Sequence, residues 1–188
     1  MYWESERLLY RPVITSDVEA LFRIYGDERT HAFNPRGPHR DIEQSRSVIL
    51  QRIADRELYG FDDWAVSEKA APEKIIGFGG VFVSHFNGRQ TNNLGYRFEP
   101  ESWGKGYATE LSCRALIYGF DELKLPEIVG VTRENHIASR RVLEKAGLLF
   151  TQRVDNPEDT PANLMFTLTI EQWKRLKGLR PPDKHHRI

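Results

Sequence analysis

The most informative segment of the chain reads Pro100-Glu101-Ser102-Trp103-Gly104-Lys105-Gly106-Tyr107-Ala108-Thr109-Glu110 and joins a predicted strand to a predicted helix. The first backbone N–H groups of a helix have no partner inside it and carry the positive end of its dipole. Gly104 and Gly106 remove the Cβ atoms that would hold an anion away from those groups, and Lys105 adds a cation. The segment predicts a phosphate or pyrophosphate site, with a tight turn that needs glycine geometry as the alternative.

Two common nucleotide-binding motifs do not fit this segment. A Walker A loop places Ser or Thr directly after Gly-Lys, whereas Gly106 follows Lys105 here. The dinucleotide-binding fingerprint needs a third glycine where Thr109 stands, and an acidic residue at the end of the next strand. That strand is predicted to end in Thr132-Arg133, so Glu134 comes too late. Both motifs are therefore excluded.

The rest of the chain is read from hydrophobic periodicity, helix caps and turn residues. Pro12 predicts an edge strand, a capping box over residues 16–19 opens a helix, and Asp41 caps the next one. Strands alternate with helices in the middle and pair as hairpins elsewhere, which favours an α/β (α+β) fold with a mixed sheet. The predicted strands are 8–10 with 13–14, 64–67, 75–83, 93–98, 128–132, 149–151 and 164–168, and the predicted helices are 16–25, 41–58, 108–123 and 136–146.

Composition limits the class of protein. The 188 residues predict a single domain over 1–178, followed by a disordered tail at 179–188. Basic and acidic residues both number 27, so no net charge draws the chain to nucleic acid or to an anionic membrane. The one cysteine, Cys113, forms no internal disulfide, and no secretory signal or apolar span is evident. A cytoplasmic protein is expected, as a monomer or homodimer.

Three segments together resemble the GNAT acetyltransferase superfamily, in the form of its RimJ/RimL-like branch. The segment from Trp103 to Glu110 resembles the pyrophosphate loop of that branch, with Trp103 where the wider superfamily has Gln or Arg. The resemblance spans residues 5 to about 174 and implies a mixed, mostly antiparallel sheet of about seven strands with a central splay, flanked by about four helices. The other matching residues are Glu6-Arg7-Leu8 with Asp17, then Asn135, Ser139, Val142, Glu144-Lys145 and Gly147, and finally Glu171-Gln172-Trp173.

The resemblance implies acetyl-CoA as a co-substrate and no metal. In this family the pantetheine arm lies between two splayed parallel strands, here 94–98 and 128–132, and pairs with the backbone of the first. The implied cofactor-binding residues are Tyr96, Arg97, Phe98, Trp103, Gly104, Lys105, Gly106, Tyr107, Ala108, Thr109, Asn135, Ser139 and Lys145.

The resemblance also implies direct transfer of the acetyl group to a primary amine, with a backbone N–H near Phe98 supporting the oxyanion. Ser139 matches the serine assigned as proton donor in the ribosomal-protein branch, because Leu143 stands where many members carry tyrosine. Ser139 is equally well read as a helix-start serine that bonds its own backbone. Cys113 is rejected as an acyl carrier, since it falls within a predicted helix.

The general base is left open, because Asn93 stands where relatives often carry glutamate. Its candidates are Glu99, His85, Asp62 and Asp63, and bulk solvent is the alternative to all of them. The acceptor is a protein N-terminus, a peptide or a small amine. Loops 31–40, 85–91 and 155–161 are expected on the acceptor side, with acids Asp155, Glu158 and Asp159 and an aromatic cleft at Phe33, Trp64 and Phe86 as candidate contacts. Two other functions stay open, a CoA-binding module without catalysis and a nucleotide-binding domain.

Overall fold

The molecule is organised around one eight-stranded sheet. The computed structural model describes residues 2–34, 37–86, 88–154 and 161–179. Its strands are β1 (Trp3–Glu4), β2 (Leu8–Pro12), β3 (Trp64–Glu68), β4 (Ala71–Phe86), β5 (Arg89–Phe98), β6 (Glu127–Arg133), β7 (Leu149–Val154) and β8 (Asn163–Thr169). They lie in the order β1-β2-β3-β4-β5-β6-β8-β7, and within the described ranges only the β5–β6 pair is parallel.

In the described part of the chain five α-helices cover the sheet, and their ends follow from local chemistry. Asp41 caps the second helix by accepting a hydrogen bond from the N–H of Gln44 at 2.8 Å, as its position in the sequence predicts. Gly60 and Gly147 end the second and fourth helices with φ of 85° and 108°, in the left-handed region. No helix in the described ranges is long and apolar enough to cross a membrane. The helices are α1 (Val18–Tyr25), α2 (Ile42–Tyr59), α3 (Tyr107–Ile117), α4 (Ile137–Ala146) and α5 (Ile170–Leu179).

Side chains alternate between the two faces of the sheet, and each face packs on different helices. On one face Leu94 and Phe98 of β5 pack in a large core with Leu111 of α3. On the other face Phe78 of β4 packs in a smaller core with Leu21 of α1 and other side chains of α1 and α2. We call these the α3/α4 face and the α1/α2 face.

A gap opens in the middle of the sheet between β5 and β6. These two strands are paired only at Asn93 and Val129, and they separate toward their carboxyl ends. Beyond the gap, β6 pairs with β8 along its whole length, from Glu127 to Arg133. The expected central splay between two parallel strands is therefore confirmed.

The sheet has one strand more, and the molecule one helix more, than expected. The additional strand is the two-residue β1, which is too short to give a period-two signal. The additional helix is α5, which begins with a reciprocal cap between Thr169 and Gln172, at 2.8 and 3.3 Å. The pattern Thr-x-x-Gln that makes this cap is visible in the sequence. Except for Leu179, the last residue of α5, the tail predicted to be disordered lies outside the described residues.

Several boundaries also differ from the prediction. The capping box at residues 16–19 is wrong, because Asp17 instead accepts from the N–H of Ile14 at 2.9 Å and pairs with Arg11. The strand ending at Pro12 is not the sheet edge, since β1 covers part of its other side. Strand β4 begins at residue 71 rather than 75, because bulges in the β3–β4 pairing absorb the additional residues. Helix α3 ends at residue 117, and a wider helical turn follows over 118–122.

Candidate active site

The gap between β5 and β6 is lined on the β5 side by backbone groups. The N–H of Glu99 donates to Ile76 on β4 at 2.9 Å. Because hydrogen-bonded and non-hydrogen-bonded pairs alternate in an antiparallel ladder, Arg97 also bonds β4, whereas the backbone groups of Tyr96 and Phe98 face the gap. The N–H and C=O of Tyr96 and the N–H of Phe98 therefore face the gap, where a ligand can pair with them.

The glycine-containing loop lies directly beyond the end of β5 and leads into α3. Gly104 and Gly106 have φ of 75° and 81°, a region that side chains rarely adopt. No heavy atom lies within 4 Å of the position that a Cβ on Gly104 would take. Gly106, the N-cap residue of α3, has no side chain to cap the first turn, which leaves the leading N–H groups to an anion. The loop thus has the open backbone cradle that a phosphate site needs.

The loop is held in place by the amino-terminal segment of the chain. The side chain of Arg7 donates to the carbonyl of Lys105 at 2.9 Å, and its backbone N–H donates to Glu110 at 2.7 Å. The hydroxyl of Ser5 donates to the same carboxylate at 2.6 Å. The Nζ of Lys105 lies 3.6 Å from Glu68 on β3. Two of the three segments that carry the family resemblance are thus in direct contact.

Trp103 connects the loop to the strand before it. Its indole Nε1 donates to the carbonyl of Phe98 at 3.0 Å, and about half of its surface is exposed. The bond ties the loop to the last residue of β5. The loop and the gap are therefore parts of one site.

The hydroxyls of Tyr96 and Ser139 meet beside the gap, with their oxygens 3.2 Å apart. Burial raises the pKa of Tyr96 to about 12, so the phenol keeps its proton at neutral pH. Leu143 fills the position where many family members carry tyrosine, and it is buried against Gly130 of β6. The sequence pointed to Ser139 but not to the side chain of Tyr96, for which it held no separate signal.

On the α1/α2 face, Arg97 extends toward the loop that follows α1. Its Nη1 lies 2.8 Å from Nε2 of His31, and its guanidinium carbon lies 4.3 Å from the ring centroid of Tyr25. Burial and the charge of Arg97 both lower the pKa of His31. The ring of Phe33 stacks on that of His136, at the start of α4, with centroids 3.9 Å apart. This loop therefore contacts Arg97 near the end of β5 and His136 at the start of α4, and its place on the acceptor side stays a prediction.

A buried charge cluster underlies that face. Arg52 of α2 pairs with Asp63 at 3.0 Å and donates to the hydroxyl of Tyr25 at 2.9 Å. One nitrogen of Arg52 and one oxygen of Asp63 are buried and have no hydrogen-bond partner. Burial and the neighbouring Asp63 raise the pKa of Asp62 to about 7. The cluster supports the face from beneath, and sequence patterns did not indicate that Arg52 belongs to it.

Two residues proposed as general base do not lie in a position to act. Glu99 is almost fully buried and bound by two cations, Arg23 and Lys74, the latter at 2.6 Å. His85 is exposed and pairs with Gln90, about 20 Å along the strand from the gap at roughly 3.3 Å per residue. Neither Glu99 nor His85 is therefore a general base in the mechanism proposed below.

The remaining candidates are dispersed. Asn135 is exposed just after β6, near the gap, and its cofactor role stays a prediction. Lys145 lies in the last turn of α4, about 12 Å along the helix from its start and away from the loop. Cys113 is partly buried against the large core. The acids predicted at residues 155–159 lie outside the described residues, and within the described ranges no group of three His, Cys, Asp or Glu is arranged to hold a metal.

Comparison with known proteins agrees with this geometry. The sequence model of a family described as the acetyltransferase (GNAT) domain matches residues 7–149. The uncharacterized N-acetyltransferase YoaA of Bacillus subtilis (strain 168) is 29% identical over 146 residues, covering 77% of this chain and 80% of that protein. An acetyltransferase (GNAT family) from Bacillus anthracis superposes with a TM-score of 0.76 at 24% identity, over 91% of this chain and 99% of that one. The ribosomal-protein-S5-alanine acetyltransferase from Vibrio fischeri superposes with a TM-score of 0.75 at 18% identity, over 92% and 98%.

Proposed function

Because the chain belongs to the GNAT acetyltransferase family, we propose that it transfers an acetyl group from acetyl-CoA directly to a primary amine. The observation that carries this proposal is the junction of two unpaired sets of backbone donors. The edge of β5 at Tyr96 and Phe98 meets the uncapped start of α3 at a loop that Trp103 ties to the strand.

The chain's own residues fit acetyl-CoA. The open backbone of Gly104, the backbone of Gly106 and the first N–H groups of α3 would hold the diphosphate, since negative charge is favoured there. The backbone of Tyr96 would pair with the pantetheine arm, in the manner of an added strand, while the carbonyl of Phe98 stays bonded to Trp103. Acetyl-CoA supplies the acetyl group as a thioester that a neutral amine attacks.

The groups around the gap have the roles that direct transfer requires. The N–H of Phe98 supports the negative charge that develops on the carbonyl oxygen as the amine nitrogen bonds the carbonyl carbon. Ser139, whose hydroxyl contacts that of Tyr96, donates a proton to the sulfur as the carbon–sulfur bond breaks. The proton that the amine loses passes to solvent. Positioning and electrostatics therefore provide most of the rate enhancement.

We place the chain in the RimJ/RimL-like branch of the family, on the strength of Trp103 in the loop and Ser139 in α4. That branch leaves the acceptor open between a protein N-terminus and a small amine. A second candidate function is a CoA-binding module without catalysis. It is favoured by two residues, Asn93 and the buried Leu143, that replace groups found in active relatives.

The two functions are separated by measuring binding and turnover on the same preparation. Titration calorimetry gives the affinity for acetyl-CoA, with ATP and NAD as competitors, and a thiol reagent follows free CoA while amines and short peptides are offered. The proposal predicts acetyl-CoA binding and amine-dependent thiol release. Binding without release from any amine would support the module instead. Displacement of acetyl-CoA by ATP or NAD at similar concentrations would point to a nucleotide-binding domain.

A further inference from the structure

Arg97 is a partly buried arginine that no carboxylate contacts within the described residues. Its polar contact is to the imidazole of His31, at 2.8 Å, and its planar group lies over the ring of Tyr25. Three other arginines with largely covered side chains differ from Arg97, because each lies within 3.0 Å of a carboxylate. These are Arg11 with Asp17, Arg52 with Asp63, and Arg114 with Glu122.

His31 does not balance the charge of Arg97. Burial and the guanidinium itself lower the pKa of His31, which favours the neutral imidazole. Burial also lowers the pKa of Arg97, and the nearby Arg52 acts in the same direction. A partly desolvated cation without an anion is costly, and a bound anion removes that cost. Among the described residues, the charge of Arg97 is therefore unmatched on this face.

The position of Arg97 assigns that charge to the acceptor rather than to the cofactor. Arg97 stands between Tyr96 and Phe98, whose side chains lie on the α3/α4 face together with the glycine loop. The side chain of Arg97 points to the opposite face, against Tyr25 and His31. A ligand held there would reach the gap from the side opposite to the diphosphate loop.

We propose that Arg97 binds a carboxylate of the acceptor, so that the substrate is a small amine that also carries a carboxylate group, such as an amino acid. This inference rests on the proposed acetyltransfer to an amine. A guanidinium binds a carboxylate through two parallel hydrogen bonds, and His31 contacts Arg97 through only one of its nitrogens, Nη1. The nearby Arg52 is already paired with Asp63, so only the charge of Arg97 is offered to a ligand. One positive charge matches a carboxylate better than a doubly charged phosphate.

The test compares each of a panel of amino acids with its primary amide and with its decarboxylated amine. The amino group of the amide is less basic than that of the amino acid, and that of the decarboxylated amine is more basic. A preference for the amino acid over both is therefore not explained by basicity alone. We expect kcat/KM for at least one amino acid to exceed both partners by about 30-fold or more, in line with a charge-assisted bidentate pair. In Arg97→Gln this preference is expected to fall below about 3-fold, and Arg97→Lys should retain part of it.

Arg89→Gln is the matched control, because Arg89 is an exposed arginine on the same strand at the end remote from the gap. It should leave the preference unchanged. An unaltered acetyl-CoA affinity and melting temperature in Arg97→Gln show that the variant is folded.

Three outcomes would overturn the proposal. Amides or decarboxylated amines could be accepted as well as the amino acids, the whole panel of amino acids could be inert, or Arg97→Gln could lower kcat/KM equally for all three compounds. Failure of the proposed function looks different, since acetyl-CoA would then neither bind nor be consumed.

Discussion

Neighbouring residues at the end of β5 present different chemistry to the two faces of the sheet. On the α3/α4 face the site consists mainly of backbone: the strand edge at Tyr96 and Phe98 and the glycine loop before α3. On the α1/α2 face it consists of charged and aromatic side chains, with Arg97 against His31 and Tyr25. The backbone face suits a ligand that is the same throughout a family, whereas the side-chain face can change with the acceptor. The two proposals together thus give β5 a general half-site on one side and a specific one on the other.

The largest effect is expected on the side-chain face, from Arg52→Ala. The substitution leaves the buried carboxylate of Asp63 without its cation, which costs about 3–5 kcal/mol of unfolding free energy. Denaturant unfolding followed by circular dichroism measures the loss. Arg46→Ala, which removes an exposed partner of Glu43 on the same helix, should change stability by less than about 0.5 kcal/mol. Equal effects of the two substitutions would mean that the cluster does not support this face.

The backbone face is tested by Gly106→Glu. A side chain at φ of 81° strains the loop, and the carboxylate repels the diphosphate, so acetyl-CoA affinity should fall by about 100-fold or more. Gly88→Glu is the matched control, because Gly88 has φ of 75° in the β4–β5 hairpin and carries the same strain. That variant should lose stability and keep its affinity. If both variants bind acetyl-CoA like the parent, the cradle lies elsewhere.

The boundary between the faces is tested by Ser139→Ala and Tyr96→Phe. If their hydroxyls supply the proton to the departing sulfur, each change should lower kcat by about 10- to 100-fold with little effect on acetyl-CoA affinity. The double variant should lose little more than either single one, because the two groups act as a unit. Ser47→Ala, which removes an exposed hydroxyl of α2, is the control. Wild-type kcat in both single variants would remove this pair from the mechanism.

A pH-dependent effect is expected from Asp62, beneath the side-chain face. Because its pKa is raised to about 7, the folded protein holds a proton that the unfolded chain releases near pH 4. This group therefore stabilises the fold below about pH 4 and loses that contribution as pH rises toward 7. In Asp62→Asn the unfolding free energy should fall less between pH 5 and 8 than in the parent. Parallel curves for the two proteins over that range would contradict the assignment.

The smallest effect is expected from His85→Ala, at the far end of the β4–β5 hairpin. An exposed side chain about 20 Å from the gap should change kcat/KM by less than about 2-fold. Steady-state kinetics over pH 6–9 measures this value and the shape of the pH profile. If one limb of the pH profile of kcat/KM were lost in the variant, His85 would again be a candidate base, and the reaction would involve a residue outside the gap.

The contrast between backbone groups and side chains at the end of β5 also explains which parts of the site could be predicted from the sequence. Gly104 and Gly106 are separated by one residue and followed by a helix, so local sequence alone was enough to predict the glycine loop at the start of α3. Arg97, His31 and Arg52 come from three separate segments, and only the tertiary fold brings them together. Glu99 was proposed as a base by its place in the chain, and the structure shows it neutralised by Arg23 and Lys74, which no sequence pattern indicated.

The bond from Trp103 to the carbonyl of Phe98 has an optical consequence. The indole of Trp103 is about half exposed to solvent and is hydrogen-bonded to the strand end that the pantetheine arm would approach. Trp64 and Trp173, by contrast, are almost fully buried elsewhere. Indole emission depends on the polarity and hydrogen bonding of its surroundings. The native chain therefore carries an intrinsic fluorophore at the mouth of its cleft, and filling of the cleft is expected to shift its spectrum without any added dye.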